Sequence, residues 1–183
     1  MSEGKRVLWS DANYLALDVL RIIEPYVDRA EIAGSVRRHK ADCGDVEIVA
    51  IPKIESDLFP DTAVTFCTSE RPAYPIRQVL SAHFEFTKGR EHMLQYSTPL
   101  CLLEVYLTTP EQWGVIFTLR TGPAEFSHRL VTARNQGGMC PSWLQIAEGR
   151  VKVRKTGVLL DTPEESDVFK ALDKKYIEPE ARQ

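Results

Sequence analysis

The sequence predicts a soluble α+β protein, with a mixed α/β body over residues 1–120 and a small α+β appendage over 121–183. Three observations carry that expectation. Residues 11–27 place Leu15, Val19, Ile22, Ile23 and Tyr26 at helical spacing. Residues 46–51 form a nearly continuous, β-branched apolar run of strand length, as expected of a central strand buried on both faces. Residues 143–160 divide into three short strand-like pieces at Glu148-Gly149 and Thr156-Gly157.

The remaining elements follow in order. Ser10 or Asp11 is placed to cap the first helix. A short strand over 30–33 ends at Gly34-Ser35. Residues 53–75 are proline-rich and read as irregular, and 76–84 as a short helix. Residues 84–96 and 100–107 read as two strands joined by Ser97-Thr98-Pro99. Thr109-Pro110-Glu111-Gln112 has the form of a capping box with proline at the first helical position, opening a helix to about Arg120. Beyond Gly122-Pro123, a helix over 124–134 leads to Gly137-Gly138. Thr162-Pro163-Glu164-Glu165 is a second box, opening a helix to about Leu172.

Composition narrows the function classes. The net charge of −3 over 183 residues points away from a chain that binds nucleic acid by bulk charge, so any such role rests on local clusters. Residues 120–155 supply one: Arg120, Arg129, Arg134, Arg150, Lys152, Arg154 and Lys155 stand against Glu125 and Glu148 only. The cysteines at 43, 67, 101 and 140 form no C-x-x-C pair and no zinc spacing. No apolar run approaches the ~20 residues of a membrane span, and the N-terminus has no apolar signal core. The expectation is a reduced, cytoplasmic protein with free thiols. Trp113, Trp143 and Phe126 read as core residues rather than as base-stacking platforms.

The stretch that carries chemistry is Gly34-Ser35-Val36-Arg37-Arg38, followed after six residues by Gly44-Asp45-Val46-Glu47-Ile48-Val49. A glycine-serine turn after a strand presents backbone amides suited to phosphate oxygens. Arg37 and Arg38 add guanidinium forks of matching geometry. Asp45 and Glu47, two apart on a strand, project from one face. Neighbouring carboxylates repel unless a cation lies between them, and hard oxygen ligands suit Mg²⁺ or Mn²⁺. Alone, an Asp-x-Glu pair is a solvated strand end. Beside a phosphate-binding turn it is the equipment of phosphoryl transfer.

Together these residues resemble the nucleotidyltransferase superfamily and, within it, the family X DNA polymerases (polymerase beta and its relatives). There, a G-S-x-R-R turn and an acidic pair are followed by a third carboxylate on a later strand. Glu104, inside the apolar stretch 102–107, occupies that place. Lys88-Gly89 precedes it as in the family. Trp113-Gly114-Val115 through Arg120-Thr121-Gly122 resembles the family's helix and hinge. Gly157 to Arg182, with Glu165, Asp167, Tyr176 and Glu178-Pro179, resembles the end of its thumb. The match spans about residues 12–182. It lacks the N-terminal lyase and helix-hairpin-helix domains of larger members, as in the smallest viral forms and phage-encoded polymerase-beta-like proteins.

The resemblance implies a polymerase-beta-like palm with a mixed sheet over 1–120 and a thumb subdomain over 121–183. It implies that Asp45, Glu47 and Glu104 hold two divalent ions, Mg²⁺ or Mn²⁺, with Glu104 helping to deprotonate a primer 3′-hydroxyl. Gly34, Ser35, Arg38 and Gly44 would meet the triphosphate of a nucleoside triphosphate, and Arg120 and Gly122 would lie beside the nucleotide. Arg129, Arg134, Arg150, Lys152 and Arg154 would contact DNA during gap filling or repair. The chain would act as a monomer, in the host cell if phage-encoded. Other acceptors (an RNA end, a protein, a small molecule) and a non-catalytic nucleic-acid-binding relic remain open.

Two departures from the family pattern carry expectations. The family usually has three aspartates; two of the three here are glutamates, whose extra methylene changes ligand reach by ~1.5 Å and favours Mn²⁺ over strictly octahedral Mg²⁺. The family commonly has a cis bond after the hinge glycine. Proline follows Gly122, where cis costs only ~0.5–1 kcal/mol, so a cis bond is expected.

Overall fold

The structure, a computed structural model, describes residues 6–53, 74–90 and 92–182. The irregular segment expected over 53–75 lies almost entirely outside the described residues. Strand β1 (Val7–Leu8) runs directly into helix α1 (Trp9–Ile23). Leu8 is the N-cap and makes no side-chain capping bond, so the cap expected at Ser10 or Asp11 is corrected: both fall in the first turn. Strand β2 (Val27–Ile32), a single turn α2 (Gly34–Arg37), β3 (Asp42–Cys43) and β4 (Asp45–Pro52) follow.

Helix α3 (Tyr74–Ser81) precedes β5 (Glu85–Arg90), β6 (Met93–Ser97) and β7 (Leu102–Leu107). The single strand expected over 84–96 is thus a hairpin of two. No glycine, proline or asparagine stands at the turn, so it carries no recognisable turn signal. The five-stranded sheet has the order β2-β4-β7-β6-β5; only β4 and β7 are parallel.

Strand alternation divides the sheet into two faces. On one, Val46, Ile48 and Ala50 of β4 and Leu103, Val105 and Leu107 of β7 pack with Ala12, Leu15 and Val19 of α1 and Ile76 and Leu80 of α3. On the other, Val49, Ile51 and Tyr106 pack against Trp113 and Phe117 of α4 (Trp113–Thr121). That helix covers the C-terminal part of β4, and the half-buried Asp45 and Glu47 lie toward the strand's other end.

The second unit holds α5 (Ala124–Val131), β8 (Leu144–Ala147), β9 (Arg150–Val153), β10 (Leu159–Leu160) and α6 (Glu165–Ala171). The three strands form an antiparallel sheet ordered β10-β9-β8. Its core includes Phe126, Leu130, Leu144, Val151, Val168 and Phe169, together with Val115 of α4. Helix α4 therefore serves two cores with two of its faces.

Three local expectations are corrected. Helix α4 starts at Trp113 with Gln112 as an N-cap that makes no side-chain capping bond, so Thr109-Pro110-Glu111-Gln112 is a turn before the helix. Helix α6 does have a capping box, formed by Glu164 and Asp167 rather than by Thr162 and Glu165. No cis peptide bond occurs among the described residues, so Gly122–Pro123 is trans. Gly122 ends α4 in an extended conformation and Pro123 is the N-cap of α5. An extended Gly-Pro pair already turns the chain between the helices, and this removes one support for aligning the hinge with the family.

The two units meet in a buried polar seam. Glu165 accepts from Arg37 Nη2 at 2.7 Å, from Arg182 Nη1 at 2.7 Å and from the Tyr176 hydroxyl at 3.1 Å. Arg37 Nη1 also donates to Thr121 Oγ1 at 2.6 Å, and the guanidinium lies over the Phe117 ring. Nearby, Arg29 bridges Glu31 and Glu164 over the face of Trp113. A Cβ on Gly114 would stand 2.3 Å from the Thr162 carbonyl oxygen, so only glycine allows α4 to approach that backbone. Among the described residues no helix is long and apolar enough to cross a membrane.

Candidate active site

The parallel register of β4 and β7 builds the site. Glu47 stands directly opposite Glu104, and Asp45 lies two residues earlier on the same face. The spacing puts Asp45 and Glu47 on one strand face and the resemblance adds Glu104; the register sets Glu104 directly across from Glu47. Burial first, then Asp45 and Glu104, push the Glu47 carboxyl up to about 8, against the pull of Arg120 and Arg38. Asp45 is likewise raised, by burial and then by Glu104.

Glu104 is held from both sides. Gln95, its register partner on β6, donates Nε2–H to Oε1 at 2.7 Å. The Tyr106 hydroxyl donates to Oε2, from two residues along the same strand face. Burial and this bond both raise the Tyr106 phenol. Arg120, at the end of α4, stacks 3.8 Å above the Tyr106 ring. Sequence reasoning missed Gln95 and Tyr106. The position of Tyr106 two residues after Glu104 was the available signal.

The Gly34 turn closes the opposite side. Gly34 has φ +61°, and a Cβ there would come within 2.1 Å of Glu47 Oε2, so the backbone presses on the carboxylate. Ser35 Oγ and Arg38 Nε are buried without a hydrogen-bond partner. Such orphaned groups call for an explanation, and a bound ligand is one. Arg38 donates from Nη1 to the Thr121 carbonyl, while Asp45 and Glu47 partly offset the cost of its burial.

The other expected residues divide by environment. Arg37, read from sequence as a phosphate fork, is committed to Glu165 and Thr121 at the seam. Gly44 is exposed at the start of β4, and it lines a hollow of about 210 Å³ with residues 97–102. Gly122 packs on Phe126, which a Cβ would meet at 2.3 Å. Arg129 is exposed on α5. Arg134 holds the Met139 and Leu172 carbonyls, and Arg154 the Leu144 carbonyl, so part of the expected basic surface supports the fold.

Three carboxylates on one face offer hard oxygen donors, and they fit a divalent cation by chemistry. Among the described residues no three such side chains stand close enough to form a ready ion cage; Glu104 is turned onto Gln95 and Tyr106. Neither a protein-family model nor a curated protein matches the sequence.

Proposed function

We propose that the protein is a metal-dependent nucleotidyltransferase of the family X type, a small DNA polymerase that adds deoxynucleotides to a primer 3′-hydroxyl. The single observation that supports it most is the Asp45, Glu47 and Glu104 face, bordered by a turn whose Ser35 hydroxyl and Arg38 Nε are buried and unpartnered. Three clustered acids, two with raised affinity for protons, are costly unless a cation partner repays them.

In this reading the roles divide by position. Asp45, Glu47 and Glu104 would hold two ions, Mg²⁺ or Mn²⁺, which when bound neutralise phosphate charge and ease deprotonation of the attacking hydroxyl. Ser35 and Arg38 receive the triphosphate tail, the Ser35 hydroxyl donating to an oxygen and Arg38 offering charge and its free Nε–H. Glu104, oriented by Gln95 and Tyr106, accepts the proton of the primer hydroxyl. Arg120, resting on Tyr106, lies beside the incoming nucleotide and balances its charge.

The test is extension of a labelled primer on gapped, nicked and single-stranded DNA, with each dNTP and rNTP, in Mg²⁺ and in Mn²⁺. Extension lost in Asp45→Ala is the expected result. Transfer to an RNA end, a protein or a small molecule, with no primer extension, would replace the polymerase by another nucleotidyltransferase. No transfer to any acceptor would leave a nucleic-acid-binding relic.

A further inference from the structure

We propose that the outward face of the β8–β9–β10 sheet binds single-stranded nucleic acid, with Trp143 as the platform on which an unpaired base stacks. The inner face of this sheet is settled: Leu144, Ile146, Val151, Val153 and Leu160 pack into or against the second core. Alternation then turns Gln145, Lys152 and Leu159 outward, and the register sets these three side by side. Trp143 is the turn residue that leads directly into Leu144 at the start of β8. The Arg154 amide donates to the Trp143 carbonyl at 2.9 Å, which continues the backbone ladder one residue beyond the strands.

Sequence reasoning read Trp143 as core, and the structure corrects this: it is 58% exposed. Its ring meets no other aromatic ring or guanidinium among the described residues. A tryptophan left in water forgoes the large stabilisation of burying its area, which suggests a use outside the fold. The charge carried by the three strands has one sign. No acid occupies any position of the three strands, β9 carries Arg150 and Lys152, and Arg154 follows directly on its end. Arg150, at one end, acts on the carboxylate of Glu111. Among the described residues Lys152, Arg154 and the exposed Lys155 form no ion pair, and they stand at the end of β9 that the Trp143 carbonyl joins. Arg154 is also oriented, because Nε donates to the Leu144 carbonyl at 2.7 Å.

An open aromatic face with cations beside it suits a single strand. Its bases are free to stack on an indole, and its phosphates pair with Lys and Arg. A duplex keeps its bases stacked inside and offers only backbone. The inference deepens the nucleic-acid part of the proposed function and rests on that reading for the strand's use as a template. The binding itself is testable without it, since none of the residues around the acid cluster lies on this face.

The experiment is titration of the full chain with (dT)₁₂, (U)₁₂ and a 12-base-pair duplex, in chelator and without nucleotide, read by tryptophan fluorescence and by anisotropy of labelled strands. We expect the single strand to quench the fluorescence and to bind more tightly than the duplex. Trp143→Ala should abolish the quenching and weaken binding at least about tenfold, and Trp143→Phe should restore part of the affinity but not the quenching. Lys152→Glu with Arg154→Glu should weaken binding further and flatten its salt dependence. The comparison of (dT)₁₂ with (U)₁₂ tells a DNA strand from an RNA strand. Equal affinity of Trp143→Ala and wild type, or tighter binding of the duplex, would overturn the proposal. Asp45→Ala separates the two readings: unchanged single-strand affinity in that variant supports this face whatever happens to transfer, and retained transfer would sink the catalytic reading alone.

Discussion

Two half-buried to buried acids in this molecule meet opposite treatment. Glu165, 6% exposed as a side chain, has two guanidinium groups and a phenol on its carboxylate. Burial pushes its carboxyl upward, yet Arg37 and Arg182 hold it below its ordinary value. Glu47 has Asp45 and Glu104 as its neighbours, and its carboxyl is pushed up to about 8. Fold stability accounts for the first arrangement. The second costs stability, and such concentrations of like charge are where function is sought. The charge of Glu165 is used within the chain, whereas in the proposed function that of Glu47 would be met by a bound ion.

The largest test breaks each acid in turn. Asp45→Ala or Glu104→Ala is expected to abolish nucleotide transfer while leaving the fold intact or more stable, because one of three like charges is gone. Wild-type turnover in either variant would end the assignment. Glu165→Gln should do the reverse and cost about 3–5 kcal/mol in denaturant unfolding, since it leaves Arg182 buried without its counter-charge. A loss below about 1 kcal/mol would show that the seam is not a stabilising element.

The next test is steric. Gly114→Ala drives a methyl into the carbonyls of Thr162 and Glu164, backbone atoms that cannot rotate away. We expect a loss of about 1–3 kcal/mol, with both cores affected because α4 belongs to both. Unchanged stability would mean that the seam can slide.

A pH series sharpens the contrast. Glu47 releases its proton at about 8 when folded and near 4.5 when unfolded. Between those values the folded state binds more protons, so stability falls as pH rises and the contribution is lost by about pH 8. Glu165 has the opposite sign: its lowered folded pKa gives stability above the unfolded value that is lost as pH falls. In chelator, wild type should lose up to a few kcal/mol from pH 5 to 8.5, and Glu47→Gln should flatten that slope. A flat wild-type profile would remove the shared-charge account. The smallest effect expected is a few-fold higher turnover in Mn²⁺ than in Mg²⁺, from the longer glutamates; equal or better rates in Mg²⁺ would discard it.

How much of this was legible in the sequence follows from the range of each interaction. Strand β4 was readable because its signal is local: a continuous apolar run interrupted by two acids at strand spacing. The acid cluster was half readable, because Glu104 announced itself as an acid within an apolar strand while its register did not. The seam was hidden. Glu165 sits in a Thr-Pro-Glu-Glu sequence that satisfies the local capping rule, and its true partner Arg37 is 128 positions away. Arg37 was misread for the same reason: beside Arg38 it looks like a phosphate fork, and only the fold gives it to Glu165. Trp143 shows the converse, since nothing in its neighbours told which side of a short strand would be covered.

The parallel pairing of β4 with β7 also sets an order in time. Parallel neighbours need a long crossover, and here the hairpin β5–β6 must be in place for β7 to be flanked on both sides. Everything the acid face requires has been synthesised once Arg120 is made, whereas Glu165 is still to come. During synthesis the repelling carboxylates are assembled first, and the ion pairs that fasten the two units arrive last. The acids of the site are thus made before the partner that Arg37 meets at the seam, and that contact closes a separation of 128 residues, the kind of long-range pairing that slows folding.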